Sequence, residues 1–431
     1  MIELPVVISF ITQIIIFIGL YFSCFWILVL INSEKRSKPS DYFPPISILI
    51  PAFNEEKGIV RTLESCLRLN YKGELKIYVV NDASSDSTLE VARGYEDRGV
   101  IVIDKKKNAG KAAALNTALK KVTTEYFAVV DADSTISVNS LMRAVQFFKR
   151  DDSQKVGAVI AKMRPTNTSK NMLERIQLIE YMMVGLMRFM SAVIYLLHLT
   201  PGVLSVYNTK LVKKVGGFDS DNLTEDFELG VKVRKEGYLI EYCEQAEVYT
   251  ETPNNLSIFL KQRIRWSRGF IQTHKKHRDI FFNKKHGLFG IYQFPMNVLG
   301  PIFYFLAIFA ISYNVYKALY EFLFKLINTP DLLQFWQFDS LQDIFLTIDF
   351  QISFLIWMSL FFFFVFIWGI IKFYGYNFLR KNFIKNMGAI LLYLMVYNYL
   401  YIYVWIVSLK KEFFGESYDW GTKKVNHEVK N

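Results

Sequence analysis

The chain has 431 residues, of which 16% are aromatic and 21% are charged, and its formal net charge is +11. Apolar residues gather in blocks at the N-terminus and over most of the last third, which argues against an ordinary soluble protein. Basic residues lie beside these blocks and form no sequence-wide stripe. This pattern favours a membrane surface and a phosphate-bearing substrate over nucleic acid. The cysteines Cys24, Cys66 and Cys243 show neither paired nor metal-ligand spacing, so we expect free thiols in a reducing compartment.

An apolar run at 6–32 is the first predicted element. It is long enough to span the ~30 Å hydrocarbon core as a helix. It also lacks a small-residue cleavage site, so we expect a retained anchor over 1–34. Lys35 and Arg36 follow the run, and Glu3 precedes it. By the positive-inside rule, the region after the anchor is predicted to be cytosolic.

The next region, 35–254, is predicted to be an α/β domain. Short apolar runs rich in β-formers alternate with segments whose apolar residues have helical spacing. Such alternation favours a mostly parallel sheet covered on both faces. The predicted strands are 47–53 and three runs that end at Asp82, Asp104 and Asp133, and the predicted helices are 55–69, 86–98 and 110–121.

Polar residues directly follow three of these strands, which is where sheets of this kind bind ligands. They are Asn54 and Glu55, Asn81 and Asp82, and Asp131 and Asp133. The sequence has neither a G-x-G-x-x-G turn after the first strand nor a P-loop, so a nucleotide would be held in another way.

Asp131 and Asp133 follow the apolar run 127–130. Two carboxylates at this spacing can both reach a cation just beyond the edge of a sheet. A pyrophosphate donor needs a divalent cation, because its leaving group develops charge. Alternatively, both acids only begin a turn and cap a helix near Ser137.

Thr224-Glu225-Asp226 opens a predicted helix at 226–236. One interpretation is an N-cap followed by first-turn acids, which suits the helix dipole. The other is a carboxylate general base that takes a proton from an acceptor hydroxyl. Taken by itself, the segment favours the cap.

Two further apolar stretches, 171–199 and 255–283, carry too many charges to span a membrane. We expect both to be helices lying at the membrane interface, with buried core helices as the alternative. The second stretch belongs to a predicted interfacial unit at 255–287. Its Arg265 could pair with a pyrophosphate and its Trp266 could stack on a sugar ring, or both could only anchor the helix to lipid headgroups.

The region 288–409 is predicted to hold three transmembrane helices, at about 288–312, 346–371 and 384–408. Acidic residues between the first two and basic residues before the third fit a multi-pass protein of the cell membrane. Three crossings would, however, place the lysine-containing polar tail, 410–431, outside. The lysines of the tail therefore conflict with the positive-inside rule, so that one of the three spans is in doubt. A short extra helix at 313–328 would be another way to resolve the conflict.

Six short motifs occur in order: Pro51-Ala52-Phe53-Asn54-Glu55, Asn81-Asp82-Ala83-Ser84-Ser85-Asp86, Asn108-Ala109-Gly110-Lys111, Asp131-Ala132-Asp133, Thr224-Glu225-Asp226, and the Q-x-x-R-W residues Gln262, Arg265 and Trp266. Over roughly 46–280 the sequence thereby resembles the family-2 glycosyltransferases, especially the processive membrane synthases of poly-N-acetylglucosamine, chitin oligosaccharide, hyaluronan and cellulose. The resemblance implies a GT-A-like α/β domain with a cytosolic active site, interfacial helices, one N-terminal transmembrane helix and about three C-terminal ones. It also implies metal-dependent, inverting transfer from a UDP-sugar to a β-linked polymer.

The resemblance implies a role for each matched residue. Asp226 would be the catalytic base. Donor contacts would come from Asn54, Glu55, Asp82, Lys111, Asp131 and Arg265. Asp131 and Asp133 would hold Mg²⁺ or Mn²⁺, and acceptor contacts would come from Gly202, Glu225, Gln262 and Trp266.

The preferred function is elongation of an N-acetylglucosamine-type polymer that then passes across the membrane, with membrane lipids as further partners. The alternatives are a single addition to a lipid acceptor and a catalytically idle scaffold, and the presence of every acid argues against the scaffold. Trp420-Gly421-Thr422-Lys423 faintly resembles a gating segment of some synthases. A tail lying outside could not act as that gate, so the likeness is interpreted as accidental.

Overall fold

The computed structural model describes residues 4–32, 41–149, 155–167, 171–328 and 383–416, with short pieces between 357 and 371 and between 418 and 425. Two compact units are present. The first comprises Met1–Ser33 and Phe294–Arg380, and the second comprises Glu34–Gln293 and Lys381–Asn431. The predicted span at 346–371 lies mostly outside the described residues.

The second unit is built around a mixed sheet of eight strands. They are β1 Ile46–Ala52, β2 Leu75–Asn81, β3 Val100–Asp104, β4 Tyr126–Val129, β5 Thr135–Ile136, β6 Val156–Pro165, β7 Ser205–Asn208 and β8 Leu239–Thr250. Their spatial order is β3-β2-β1-β4-β7-β6-β8-β5. The first four are parallel, β7 is antiparallel to β4 and β6, β6 and β8 are parallel, and β5 is antiparallel to β8.

Twelve helices occur in the described ranges. They are α1 Leu4–Ile31, α2 Ile59–Leu67, α3 Thr88–Arg93, α4 Lys111–Lys121, α5 Ser140–Val145, α6 Met172–Val193, α7 Thr209–Lys214, α8 Glu225–Lys235, α9 Leu256–Lys276, α10 Phe294–Asn328, α11 Phe383–Met395 and α12 Tyr397–Phe413. Short 3-10 turns lie at Glu96–Arg98, Gln146–Phe148, Arg278–Ile280 and Lys284–His286, and a π turn lies at Phe289–Gln293. A small hairpin, β9 Tyr418–Trp420 and β10 Lys423–Val425, places Trp420 opposite Lys423.

Burial explains why the first strands read as continuous apolar runs. Ile46, Ile48, Leu49 and Ile50 of β1 are all fully buried, as expected for a central strand with helices on both faces. The four predicted strands and the helices between them are confirmed to within a few residues. The prediction of a mostly parallel sheet holds for β3-β2-β1-β4, whereas β7 reverses direction and makes the other half mixed.

Several segments of the described chain are long and apolar enough to cross a membrane: Phe10–Ile31, Met172–Val193, Phe289–Glu321, and the pair Lys385–Met395 and Tyr397–Phe413, which is bent by 43°. The first and third match the predicted N-terminal anchor and the first predicted C-terminal span. Because α10 runs without interruption to Asn328, residues 313–328 continue that helix and form no separate one. The predicted span at 384–408 is the bent pair.

The stretches predicted to lie at the interface are the helices α6 and α9. Although α6 is apolar, it packs against β6 and β8 and buries Glu174 and Arg175. α9 packs against α8 and α12 and buries Arg263 and Arg268. Both helices are therefore partly integrated into the domain. Their attachment to a membrane surface stays a prediction.

Candidate active site

A cavity of about 430 Å³ opens beyond the carboxyl ends of β1, β2 and β4. In a parallel sheet this edge is where the loops after neighbouring strands converge. Predicted site residues that line the cavity are Glu55, Asp82, Lys111, Asp131, Asp133 and Arg265. The fold therefore gathers residues from five of the six motifs named above, and only Thr224-Glu225-Asp226 contributes none to the cavity wall.

Asp131 and Asp133 lie on a tight turn directly after β4. The Ser134 N–H donates to the Asp131 carbonyl at 3.1 Å, and the Ser134 hydroxyl donates to Asp133 Oδ1 at 3.0 Å. The alternative of a helix cap near Ser137 is wrong, because β5 follows the turn and α5 begins only at Ser140.

The two aspartates are chemically suited to a divalent cation. Within the described residues, no group of three or more His, Cys, Asp or Glu side chains is placed to hold a metal ion. Mg²⁺ at phosphate-transfer and related sites uses one or two carboxylates and takes its other ligands from substrate phosphates and water. Asp131 and Asp133 both face the cavity and meet that requirement.

Lys111 links Asp131 to the acids of α8. Gly110 adopts a positive φ of 86° and starts α4, so that Lys111 is the first helical residue. The ammonium pairs with Asp131 and lies 3.8 Å from Glu225 Oε1. Burial opposes its charge, but Asp131 and Glu225 outweigh burial and raise the pKa of Lys111 above its ordinary value.

Glu225 and Asp226 occupy the first turn of α8, as the cap interpretation predicts. The side chain of Thr224, however, donates to Asn222 Oδ1 and caps no helical N–H. Glu225 is buried, and burial together with Asp226 raises the pKa of Glu225 to about 7. Glu225 therefore lies beside the Lys111 ammonium and is not a surface charge at a helix start, although neither Glu225 nor Asp226 lines the cavity.

Asp226 is held in place by backbone donors. Its Oδ2 accepts from the Gly202 N–H at 2.7 Å, and its Oδ1 accepts from the Phe227 N–H at 2.8 Å. The Thr200 hydroxyl donates to the Asp226 carbonyl at 2.6 Å. A Cβ placed on Gly202 would lie 2.5 Å from Lys111 Nζ and 3.4 Å from Asp226 Oδ2. With no Cβ at position 202, the loop approaches both charged groups without displacing the Lys111 ammonium.

Asn54 and Glu55 are neighbours in the chain, but only Glu55 lines the cavity. Asn54, at a positive φ of 55°, accepts from the Ser85 N–H at 2.8 Å and donates its own N–H to Ser84 Oγ at 3.1 Å. It therefore joins the loops after β1 and β2, and it does not line the cavity. Glu55 does line it. Burial, with Asp133 next in effect, raises the pKa of Glu55 to about 7.

Asp82 organises the loop that carries the third motif. Its carboxylate pairs with Lys105 and accepts from the Ala109 N–H at 3.1 Å and the Gly110 N–H at 2.7 Å. Asn108 and Gly110 of this loop form part of the cavity wall. The predicted nucleotide-binding aspartate thus also shapes the surface around it.

The Q-x-x-R-W residues separate on α9. Arg265 lines the cavity and donates to the Leu223 carbonyl at 3.2 Å. Gln262 and Trp266 do not line it. Instead they contact Arg263, which donates to Gln262 Oε1 at 2.6 Å and lies with its guanidinium carbon 4.3 Å from the Trp266 ring centroid.

Sequence reasoning missed the pairing partner of Arg263. Its guanidinium also donates to Glu180 on α6 at 2.5 Å. The sequence signal for such a pair was the presence of charged residues in both apolar stretches, 171–199 and 255–283, since charges buried in apolar helices need partners. Nothing in the sequence linked two residues that lie 83 positions apart.

Comparison with known proteins identifies the family of the chain. The family described as "Glycosyltransferase like family 2" matches residues 44–269, and the chain belongs to this family of glycosyltransferases. It is similar to the poly-beta-1,6-N-acetyl-D-glucosamine synthase of Staphylococcus aureus (strain COL), with 30% identity over 64% of this chain and 69% of that protein. It is also similar to the synthase of that name from Staphylococcus epidermidis, with 32% identity over 56% of this chain and 57% of that protein.

A solved structure shows the same fold. The mannosyltransferase PcManGT from Pyrobaculum calidifontis, in complex with GDP-Man and Mn²⁺, superposes with a TM-score of 0.58 at 21% identity, covering 73% of this chain and 87% of that one. The predicted GT-A-like fold and the predicted enzyme class are thus confirmed. All three cysteines lie in the described chain and are free, as predicted, with Cys66 and Cys243 buried.

Proposed function

We propose that this glycosyltransferase moves a sugar from a UDP-sugar donor, with inversion, onto the end of a β-linked polysaccharide. The observation that carries the proposal is the position of Lys111, between Asp131 at the cavity and the acid pair of α8. The Lys111 ammonium thereby brings the proposed donor site and the candidate base close to each other.

The donor diphosphate would lie against Asp131, Asp133, Lys111 and Arg265. A divalent cation held by the two aspartates supplies a Lewis acid that neutralises charge on the leaving diphosphate. Lys111 and Arg265 line the same cavity and add positive charge there. Asp82 shapes the nucleotide side of the cavity through the loop that ends at Gly110.

Asp226 would act as the general base. It accepts the proton of the attacking hydroxyl while the acceptor oxygen bonds to the anomeric carbon and the bond from that carbon to the diphosphate breaks. UDP leaves with the bonding electrons, from the face opposite the attack, so an α-linked donor yields a β-linkage. The Gly202 and Phe227 N–H groups orient the carboxylate for this transfer.

An N-acetylglucosamine polymer is the preferred product. The matched relatives are named as synthases of such a polymer, and the chain carries candidate membrane-spanning helices. We propose that the catalytic domain is cytosolic and that the product crosses the membrane. Gln262 and Trp266, beside Arg263 on α9, would contact the acceptor, with Gly202 and Glu225 near its reacting end.

Inverted membrane vesicles that contain the protein, supplied with radiolabelled UDP-N-acetylglucosamine and Mg²⁺ or Mn²⁺, test the proposal. We expect a large, water-soluble labelled polymer that yields only N-acetylglucosamine on acid hydrolysis. Vesicles with Asp226→Asn provide the matched control and should form none. A labelled lipid that carries a single sugar would contradict polymer synthesis, and equal labelling by Asp226→Asn would contradict the assigned base.

A further inference from the structure

Arg263 of α9 is a buried cation that has no part in the proposed reaction. Its side chain is 5% exposed, and that of its partner Glu180, in the middle of α6, is 13% exposed. Arg263 Nη2 donates to Glu180 Oε2 at 2.5 Å. Removing both charges from water costs free energy that their attraction does little more than offset. Stability is therefore a weak reason for placing this pair between α6 and α9.

The guanidinium of Arg263 also contacts the aromatic and amide side chains around it. Nη1 donates to Gln262 Oε1 at 2.6 Å. The guanidinium carbon lies 4.3 Å from the ring centroid of Trp266 and 4.6 Å from that of Phe259. A guanidinium is planar and carries five donors, so it can hold a carboxylate and an amide oxygen in its plane while a ring lies against its face. Arg263 thus contacts both residues that are proposed to bind the acceptor, Gln262 and Trp266.

The contact with Arg263 decides which way the Gln262 amide points. A guanidinium has donors and no acceptor, so the amide atom beside it has to be the oxygen. The amide nitrogen, Nε2, then points away from Arg263. Gln262 is only partly buried, and within the described part of the chain its NH₂ group donates to no other residue. This group is therefore placed to donate to an oxygen of a ligand.

Arg263 also decides which face of Trp266 is open. The guanidinium lies over one face of the indole, an arrangement that the ring quadrupole favours. Trp266 is partly exposed. The face opposite Arg263 is therefore the one on which a sugar ring can stack.

The position of these residues on α9 places them next to the donor site. At 3.6 residues per turn, Gln262 and Trp266 share one side of the helix. Arg265 flanks this side towards the donor cavity, and Arg263 flanks it towards Glu180 of α6. A ligand that contacts Gln262 and Trp266 would therefore lie between the donor cavity and α6.

We propose that Glu180 and Arg263 are positioning residues for the acceptor, which hold the Gln262 NH₂ group and the open face of Trp266 towards the acceptor sugar. This inference rests on the proposed function, because it assumes an acceptor sugar beside the donor cavity. Gln262 then donates to a hydroxyl or carbonyl oxygen of that sugar. Since α6 packs against β6 and β8, the ion pair connects the acceptor residues to the sheet that carries the donor site.

The rate of UDP release by the purified protein in detergent tests the proposal. It is measured against the concentration of a β-linked N-acetylglucosamine pentasaccharide, at saturating UDP-N-acetylglucosamine and Mg²⁺ or Mn²⁺. Gln262→Glu keeps an oxygen towards Arg263 and replaces the outward NH₂ by a second oxygen. We expect its KM for the pentasaccharide to rise about tenfold, as for the loss of one hydrogen bond. The Kd for UDP should stay within about twofold of wild type.

Glu180→Gln and Glu412→Gln form a matched pair, because each removes the carboxylate partner of a buried arginine of α9. Both variants should unfold at a lower temperature than wild type. Only Glu180→Gln should also raise the KM for the pentasaccharide about tenfold, since it frees the arginine that orients Gln262 and Trp266.

The possible results separate this inference from the proposed function. An unchanged KM in Gln262→Glu or in Glu180→Gln would overturn the positioning role, and so would an equal rise of KM in Glu412→Gln. A wild-type protein whose UDP release is not stimulated by the pentasaccharide would instead refute the proposed polymer synthesis, and the positioning role with it.

Discussion

Replacing Gly202 by alanine would insert a methyl group between the Lys111 ammonium and Asp226, the proposed base. The added carbon would lie 2.5 Å from Lys111 Nζ, whereas ordinary contacts begin near 3.4 Å. Lys111 must therefore retreat by about 1 Å. Because the ammonium ends a flexible side chain, we expect it to make this shift by lengthening its pair with Asp131 and its approach to Glu225. The same change crowds the N–H that orients Asp226.

A misplacement of about 1 Å at a reacting centre costs on the order of 100-fold in rate, or about 2.7 kcal/mol. We expect kcat of Gly202→Ala, measured as UDP release by the purified protein in detergent, to fall by about that factor. The midpoint of thermal unfolding should change little, because Gly202 is not among the glycines with positive φ. Gly94→Ala is the matched control. Its added carbon would have no neighbour closer than 3.4 Å, so its kcat should stay within about twofold of wild type. A Gly202→Ala enzyme with near-normal kcat would refute the close approach of Gly202 to Lys111 as a requirement for catalysis.

Four further predictions follow from the site and from the ion pairs around it. Asp133→Ala should abolish donor turnover that depends on added Mg²⁺ or Mn²⁺, and a metal titration of UDP release checks this; full turnover at wild-type metal concentrations would count against Asp133 as a ligand. Asp226→Asn should block transfer and leave the Kd for UDP within about threefold of wild type, as measured by calorimetry; a collapse of UDP affinity would assign Asp226 to the donor instead. The pKa of Glu225 is raised from 4.5 to about 7, so the stability that its protonated form provides is complete below about pH 4.5 and is lost as the pH rises through 7. At pH 8, Glu225→Gln should therefore be more stable than wild type by up to roughly 3 kcal/mol in the free energy of unfolding and should unfold at a higher temperature. This advantage should disappear by pH 5. A variant that is less stable than wild type at pH 8 would refute the raised pKa. Glu412→Ala leaves the buried Arg268 guanidinium without its carboxylate partner and should cost roughly 3 kcal/mol in denaturant unfolding. Glu251→Ala, which breaks the exposed 3.1 Å pair with Arg61, should cost at most about 1 kcal/mol, and equal losses would contradict the difference in burial.

The relation between sequence and site differs from motif to motif. The position of Asp131 and Asp133 at the sheet edge could be predicted from the sequence, because both directly follow a short apolar strand, and both line the cavity. Asn54 belongs to the same series of motifs, yet its side chain binds Ser85 in the neighbouring loop and does not face the cavity. A residue that organises a loop and a residue that contacts a ligand can both belong to such a motif, and the sequence does not distinguish them.

The membrane segments show a second limit. Hydropathy located the candidate spans in α1 and α10, because a helix able to cross a bilayer must be apolar around its whole surface. The same criterion placed a span at 384–408, where the helices have one face against α6 and α9 and another that is exposed. Composition does not distinguish a helix that lies between a domain and a bilayer from a helix that crosses the bilayer.

The sequence by itself determined the alternation of strands and helices, the acids at the strand ends and the presence of apolar helices. These features are local, since the periodic pattern of apolar residues and the polar residues at the strand ends involve only neighbouring positions in the chain. Only the tertiary structure decided that Gly202 contacts Asp226, that Lys111 lies between Asp131 and Glu225, and that Arg268 is paired with Glu412. Each of these contacts joins residues far apart in the chain, and its partner is selected by packing geometry, which one sequence does not specify.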